Sequence, residues 1–282
     1  MAPLISRYQA QKILAAEKAH EKTVKTSLDL GRTESHIRLE DGNVLFPDGQ
    51  KLPLRIIEKI SKDPICSLVE GNTAYRLQFF LPETNRIYRL LATGLKTPPT
   101  AEVSGFRMHR VKNTNPWDDT LEKIKTVSPL YGRVLDTCTG LGYTAQAAAH
   151  AGAEEVITVE VDPGMIRLRE INPWSEGLCD ERITMITGDI KEEITGYKNE
   201  HFQAIIHDPP TLKIAGELYS RQFYDQLHRV LSEGGRLFHY VGAPGSRYRG
   251  KNTPVSVLKR LQQAGFQDVR ENKKALGVTA KK

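Results

Sequence analysis

Along the C-terminal part of the chain, short apolar runs alternate with longer segments in which apolar residues recur every three or four positions. From residue 133 onward, "RVLDT", "EVITVEVD", "ITMITGD", "QAIIHD" and "RLFHYVG" are short and almost continuously apolar, the pattern of strands buried on both faces. Between them "TAQAAAHAG" reads as a helix that stops at Gly152. The segment "ELYSRQFYDQLHRVLSEGG" places Leu218, Phe223, Leu227 and Val230 near one helical face and is expected to end on Gly234. Strand and helix in regular alternation predict an α/β domain, a doubly wound, mainly parallel sheet covered by helices.

The N-terminal part is patterned differently. Residues 5–22 carry a weak apolar stripe through Ile5, Tyr8, Ile13 and Leu14, which predicts a helix. From Thr23 the period becomes two in "TSLDL", "SHIRLED" and "NVLFPDG", punctuated by Asp-Gly turns. A helical patch, "LPLRIIEKISKD", leads to two strand-like runs, "TAYRLQFFL" and "RIYRLLAT", joined by "PETN". These elements predict a smaller α+β domain over residues 1–105, with the Pro-, Thr- and Gly-rich "TGLKTPPTAEVSG" as its boundary and residues 106–282 as the second domain.

Charge adds a direction to this division. Residues 1–110 hold 17 Lys and Arg against 12 Asp and Glu, whereas residues 111–282 hold 23 against 22. A basic module on a near-neutral body suits a polyanionic partner such as RNA. Cys66, Cys138 and Cys179 lie far apart without metal-ligand spacing, which predicts a reducing, cytoplasmic setting and no metal. No apolar run approaches membrane-spanning length, so no membrane association is expected.

The chemistry concentrates at the ends of the predicted strands. In "VLDTCTGLGYTA" a strand runs into a glycine turn and then a helix, where Gly140 and Gly142 remove the Cβ atoms that would hold a ligand off the backbone. Asp136 just before the loop disfavours a pyrophosphate and suits a cationic or hydroxyl-bearing ligand. Glu160 ends the next strand, where an acid takes ribose hydroxyls, and Asp189 ends the third, within reach of an exocyclic amine. This ordered set resembles the class I S-adenosylmethionine-dependent methyltransferases. The resemblance implies a Rossmann-like fold with Asp136, Thr137, Gly140, Gly142, Tyr143, Glu160 and Asp189 as the S-adenosylmethionine site. Cys138 departs from the family loop, where a glycine is usual.

The fourth strand ends in "HDPP". Pro209 and Pro210 forbid further pairing and fix φ, so the Asp208 carboxylate and the proline carbonyls become aligned acceptors for one NH₂ group. A nitrogen with a delocalised lone pair is a poor nucleophile, and such acceptors orient it and stabilise its developing charge. The run resembles the Asp/Asn/Ser-Pro-Pro-aromatic signature of amino-group methyltransferases, which assigns the catalytic role to Asp208, Pro209 and Pro210. Thr211 stands where that signature has an aromatic, so stacking is expected from Trp117, Tyr219, Phe223 or Tyr224. The basic loop "GAPGSRYRGKN" adds Arg247 and Arg249 around Tyr248 as phosphate and base contacts. In "PWDDTLEKIK" a helix starts near Asp118 or Asp119, with Glu122 and Lys125 as surface partners.

Taken together, "DTCTGLGYTA", "VEVDPGMI", "DPPTLKIAGELYSRQFYDQLHRVL" and "GGRLFHYVGAPG" resemble archaeal methyltransferases that are grouped by similarity with spermidine and spermine synthases. The expected reaction is methylation of a base amine in RNA, with N4 of a ribosomal cytidine as the specific target. Aminopropyl transfer is the main alternative, but those enzymes carry Asp-x-x-Asp-Pro in the fourth-strand region, and Ile205 stands at the first Asp. A protein amide N-methyltransferase shares the nitrogen chemistry, and a non-catalytic RNA-binding module is disfavoured by the intact acids.

Overall fold

The computed structural model describes residues 2–212, 214–242 and 253–282. The chain forms two compact units, Met1–Trp117 with Gly164–Glu176, and Asp118–Pro163 with Gly177–Lys282.

In the first unit, helices Arg7–Lys18 and Leu54–Lys62 accompany three antiparallel sheets. The first helix starts on a capping box in which the Ser6 and Gln9 side chains satisfy the exposed N–H groups. Ile5, Ile13, Val24, Ile37, Val44, Leu52, Ile57 and Val69 form the core beneath these helices. "TAYRLQFFL", expected as one strand, is two, Thr73–Arg76 and Gln78–Leu81, in different sheets. The cause is Leu77, which is buried and whose backbone bonds outside both strands, donating to Cys66 O (2.8 Å) and accepting from Leu90 N (3.0 Å). Part of the expected boundary stretch is also built into a sheet: Thr100–Val103 pairs with Arg86–Leu91, and the unit runs on to Trp117.

The second unit is built on a seven-stranded sheet. Helix α1 (Pro116–Lys125) leads into β1 (Arg133–Asp136), followed by α2 (Tyr143–His150), β2 (Glu155–Glu160), β3 (Ile183–Thr187), α3 (Ile190–Gly196), β4 (Phe202–His207), α4 (Arg221–Val230), β5 (Leu231–Tyr240), α5 (Thr253–Gln263), β6 (Gln267–Asn272) and β7 (Gly277–Lys281). The strand order is β3-β2-β1-β4-β5-β7-β6, parallel from β3 through β5, with β7 antiparallel to both of its neighbours. The order reverses beside β1, so the ends of β1 and β4 open onto the crevice where such sheets bind ligands.

Helix α4 buries Phe223, Tyr224, Leu227 and Val230, each stabilising the fold by about 1.5–3 kcal/mol relative to exposure. Ser220 caps it through a 3.1 Å bond from the Phe223 N–H. It ends at Val230, short of the expected Gly234, because Leu231 is already extended and begins β5. The register against β4 then jumps from Phe202↔Leu231 to Ala204↔Arg236, and Gly234 supplies the positive φ of 73° inside that irregularity.

Candidate active site

The loop after β1 is fixed to β2 by hydroxyls. Asp136 is fully buried, and its Oδ2 accepts from Thr158 (2.8 Å) and Thr144 (3.0 Å), while Oδ1 has no partner. Burial pushes its carboxyl up to about 7; the two hydroxyls oppose this, and the charges of Asp208 and Glu160 add to it. Gly142 caps α2 in the left-handed region (φ 81°), where a Cβ would come within 2.3 Å of Leu178. Cys138 is not among the residues with positive φ, so its side chain costs the loop no strain. Glu160 closes the loop from the next strand, its Oε2 accepting from the Gly140 N–H (2.7 Å) and its Oε1 from the Asp162 N–H (2.9 Å).

Other members of the expected cofactor set are engaged differently. Asp189 is the N-cap of α3, accepting from the Lys191 N–H at 2.9 Å and pairing with its ammonium at 3.2 Å. Thr137 and Tyr143 are both 1% exposed, nearly as deeply buried as Asp136. Thr137 joins the strands, its hydroxyl lying 2.7 Å from His207 Nδ1. The Leu218 carbonyl can only accept, so His207 Nε2 carries the proton toward it (3.0 Å) and Nδ1 accepts from Thr137. Burial lowers the His207 pKa to about 3, and the ring stays neutral.

The aromatic candidates from α4 and the turn before it are core residues. Tyr219 donates to Pro210 O (2.9 Å) and Tyr224 lies 2.8 Å from His239 Nε2; with Phe223, all are under 5% exposed. Their faces are covered by protein, so none can stack on a substrate in this arrangement, contrary to the sequence expectation. Trp117 is half-buried and falls in the first unit, its N–H bonded to Asn115 Oδ1 (2.9 Å). Arg247 and Arg249 lie outside the described residues.

Asp208 follows β4 and is 16% exposed. Its Oδ2 lies 2.6 Å from Lys123 Nζ, and the same ammonium is 3.1 Å from Asp119 Oδ2. Lys123 is 1% exposed and sits 4.5 Å from the centroid of the Tyr240 ring. Burial alone would lower the Lys123 pKa, but Asp208 and Asp119 together raise it well above the usual lysine value. Register explains the ring: His207 pairs with His239, so Tyr240 and Asp208 are the next residues along adjacent strands.

Sequence reasoning missed Lys123, Asp119 and Tyr240. It placed Glu122 and Lys125 on the surface, where they pair at 2.7 Å. The missed signal lay beside them. Asp119 and Lys123 are one helical turn apart and share a buried face with Thr120 and Ile124.

A cavity of about 300 Å³ lined by Thr126, Arg236, Arg270 and Lys281 is not this site. Arg236 is level with Ala204, near the start of β4, at the opposite edge of the sheet from Asp208.

Residues 134–235 match the family model described as a methyltransferase domain. An uncharacterized protein of Methanocaldococcus jannaschii is 44% identical over 262 residues, covering 91% of this chain and 88% of that one. The chain belongs to that protein's family. A polyamine aminopropyltransferase of Streptomyces coelicolor is 31% identical over 137 residues, 46% of this chain but only 25% of the relative's length. Among solved structures, a spermidine synthase from Thermotoga maritima superposes with a TM-score of 0.54 at 17% identity, covering 75% of this chain and 76% of that one. This likeness bears on the fold, a class I methyltransferase fold with a small N-terminal domain.

Residues 134–235 thus form a methyltransferase domain, for which the implied cofactor is S-adenosylmethionine. Its residues fit the cofactor. Asp136 Oδ1 is a buried acceptor without a hydrogen-bond partner, and Glu160 ends the next strand, where an acid takes ribose hydroxyls. Bound there, S-adenosylmethionine supplies an electrophilic methyl group on a sulfonium. Among the described residues no group of three or more His, Cys, Asp or Glu is placed to hold a metal ion, and no helix is long and apolar enough to cross a membrane.

Proposed function

We propose that this protein transfers the methyl group of S-adenosylmethionine to an uncharged exocyclic amine of a nucleobase in RNA, with N4 of cytidine in ribosomal RNA as the target. The observation that carries this reading is the contrast between two acids at adjacent strand ends. Asp136 is sealed from solvent, while Asp208 keeps 16% exposure and an oxygen that Lys123 does not hold. On this reading Asp136, Glu160 and Asp189, with Gly140 and Gly142, hold the cofactor. Asp208 and the turn at Pro209 and Pro210 receive the amine.

Asp208 accepts one N–H of the target and orients its nitrogen lone pair for in-line attack. The cofactor would supply the methyl group and keep the electrons of the broken C–S bond on sulfur. The nitrogen would gain positive charge, which the Asp208 carboxylate stabilises before it accepts the released proton and passes it to solvent. A carboxylate suits this order, since the proton leaves after the nitrogen has become cationic. The basic excess of residues 1–110 supports a polyanionic substrate.

Aminopropyl transfer is favoured by one finding, the similarity to the polyamine aminopropyltransferases. Methyl-labelled S-adenosylmethionine, incubated with the protein and with separate RNA, protein and polyamine fractions, tests the choice. Label recovered as N4-methylcytidine after nuclease digestion, with S-adenosylhomocysteine as the by-product, is the expected result. Label confined to protein would move the target to an amide. Release of methylthioadenosine from decarboxylated cofactor and a diamine would replace methyl transfer with aminopropyl transfer.

A further inference from the structure

We propose that Lys123 is a specificity-determining residue that makes the Asp208 site accept an uncharged NH₂ group and exclude an alkylammonium. The inference rests on the reading of Asp208 as the amine acceptor.

Two carboxylates and an aromatic face, as Asp119, Asp208 and Tyr240 provide, are what a primary ammonium seeks. Here a lysine of the same chain fills that place. Its Nζ lies 2.6 Å from Asp208, 3.1 Å from Asp119 and 4.5 Å from the Tyr240 ring centroid, and its side chain is 1% exposed. A second ammonium on the remaining Asp208 oxygen would sit within a few ångströms of Lys123 Nζ in a largely desolvated setting, where like charges repel strongly. A neutral base amine pays no such penalty and still finds an acceptor. The fixed cation thereby separates the two reactions that the strand-end acids alone do not distinguish, transfer to a neutral nitrogen and transfer to a polyamine. Lys123 never touches the substrate on this account; it acts through the charge it places on one side of Asp208.

The test is calorimetric titration of the full chain, bound to S-adenosylhomocysteine, with the diamine putrescine near neutral pH. Lys123→Met should bind putrescine at least about tenfold more tightly than wild type, because the repelling charge has gone and two carboxylates remain. Lys123→Arg, which keeps the charge, should behave as wild type, and adding Asp208→Asn to Lys123→Met should abolish the gain. The double variant Asp119→Asn/Lys123→Met covers the case in which the single variant does not fold. It avoids two unpaired carboxylates, keeps the net charge of the cluster, and should also gain putrescine affinity. Equal affinity in wild type and the Met variants, or tight binding by wild type, would overturn the proposal. Failure of wild type to methylate RNA would remove the function proposed above without altering this titration.

Discussion

Asp136 and Asp208 follow neighbouring strands of one sheet and are compensated in opposite ways. Asp136 is surrounded by neutral hydroxyls, which satisfy one oxygen but cannot balance a charge, and its carboxyl is pushed up to about 7. Asp208 is bonded to an ammonium that is itself buried. The first arrangement leaves a group poised to change protonation near neutrality and a vacant acceptor that a polar ligand can use. The second fixes a charge and divides the carboxylate into a held oxygen and an open one. The two acids thus differ both in depth of burial and in the identity of their donors.

Four measurements break or sharpen this contrast, from the largest expected effect downward. Asp208→Ala should lower kcat for methyl transfer by about a thousandfold or more while S-adenosylmethionine affinity stays within a few fold, since it removes a contact formed with the reacting nitrogen. Retained turnover would end its acceptor role. Next, Lys123→Met should cost about 3–5 kcal/mol of unfolding free energy in urea titrations, the penalty of leaving buried carboxylates unpaired, and Lys123→Arg much less. A loss below 1 kcal/mol would mean that the cluster relaxes to water.

Glu160→Ala should weaken S-adenosylmethionine binding by about ten- to a hundredfold, as charge-assisted hydrogen bonds are worth roughly 1.5–3 kcal/mol, and should leave kcat at saturation less affected. The smallest effect, per pH unit, is a slope. Because the folded state holds the Asp136 proton up to about pH 7 while an ordinary aspartate releases it near 4, the folded chain binds more protons in that window, and stability falls as pH rises through it. The slope reaches about 1.4 kcal/mol per pH unit at most. Asp136→Asn should remove that component from unfolding curves between pH 4 and 7. Identical curves for the two proteins would show that the group is not shifted.

Much of the second unit is legible in the sequence because its signals are local. Continuous apolar runs give the strands, the α4 stripe gives its buried face, and Asp136, Glu160 and Asp208 lie at or just beyond strand ends where the alternation places them. What was not legible depends on partners distant in sequence. "TAYRLQFFL" reads as one strand from periodicity, and only the bonds of Leu77 to Cys66 and Leu90 divide it. Tyr219 and Tyr224 look like stacking aromatics until His239 and Pro210 are found bonded to their hydroxyls. For Lys123 the local half of the signal, Asp119 one turn away, is legible, but its other partner Asp208 is 85 positions away.

His207 has a mechanical consequence. One imidazole bridges the loop after β1, through Thr137, and the turn before α4, through Leu218. Burial keeps the ring neutral, and the Leu218 carbonyl fixes which nitrogen carries the proton. It thereby ties the loop after β1 to the turn before α4 through a ring that carries no charge, on the same sheet edge where the Asp136 carboxyl is pushed up to about 7.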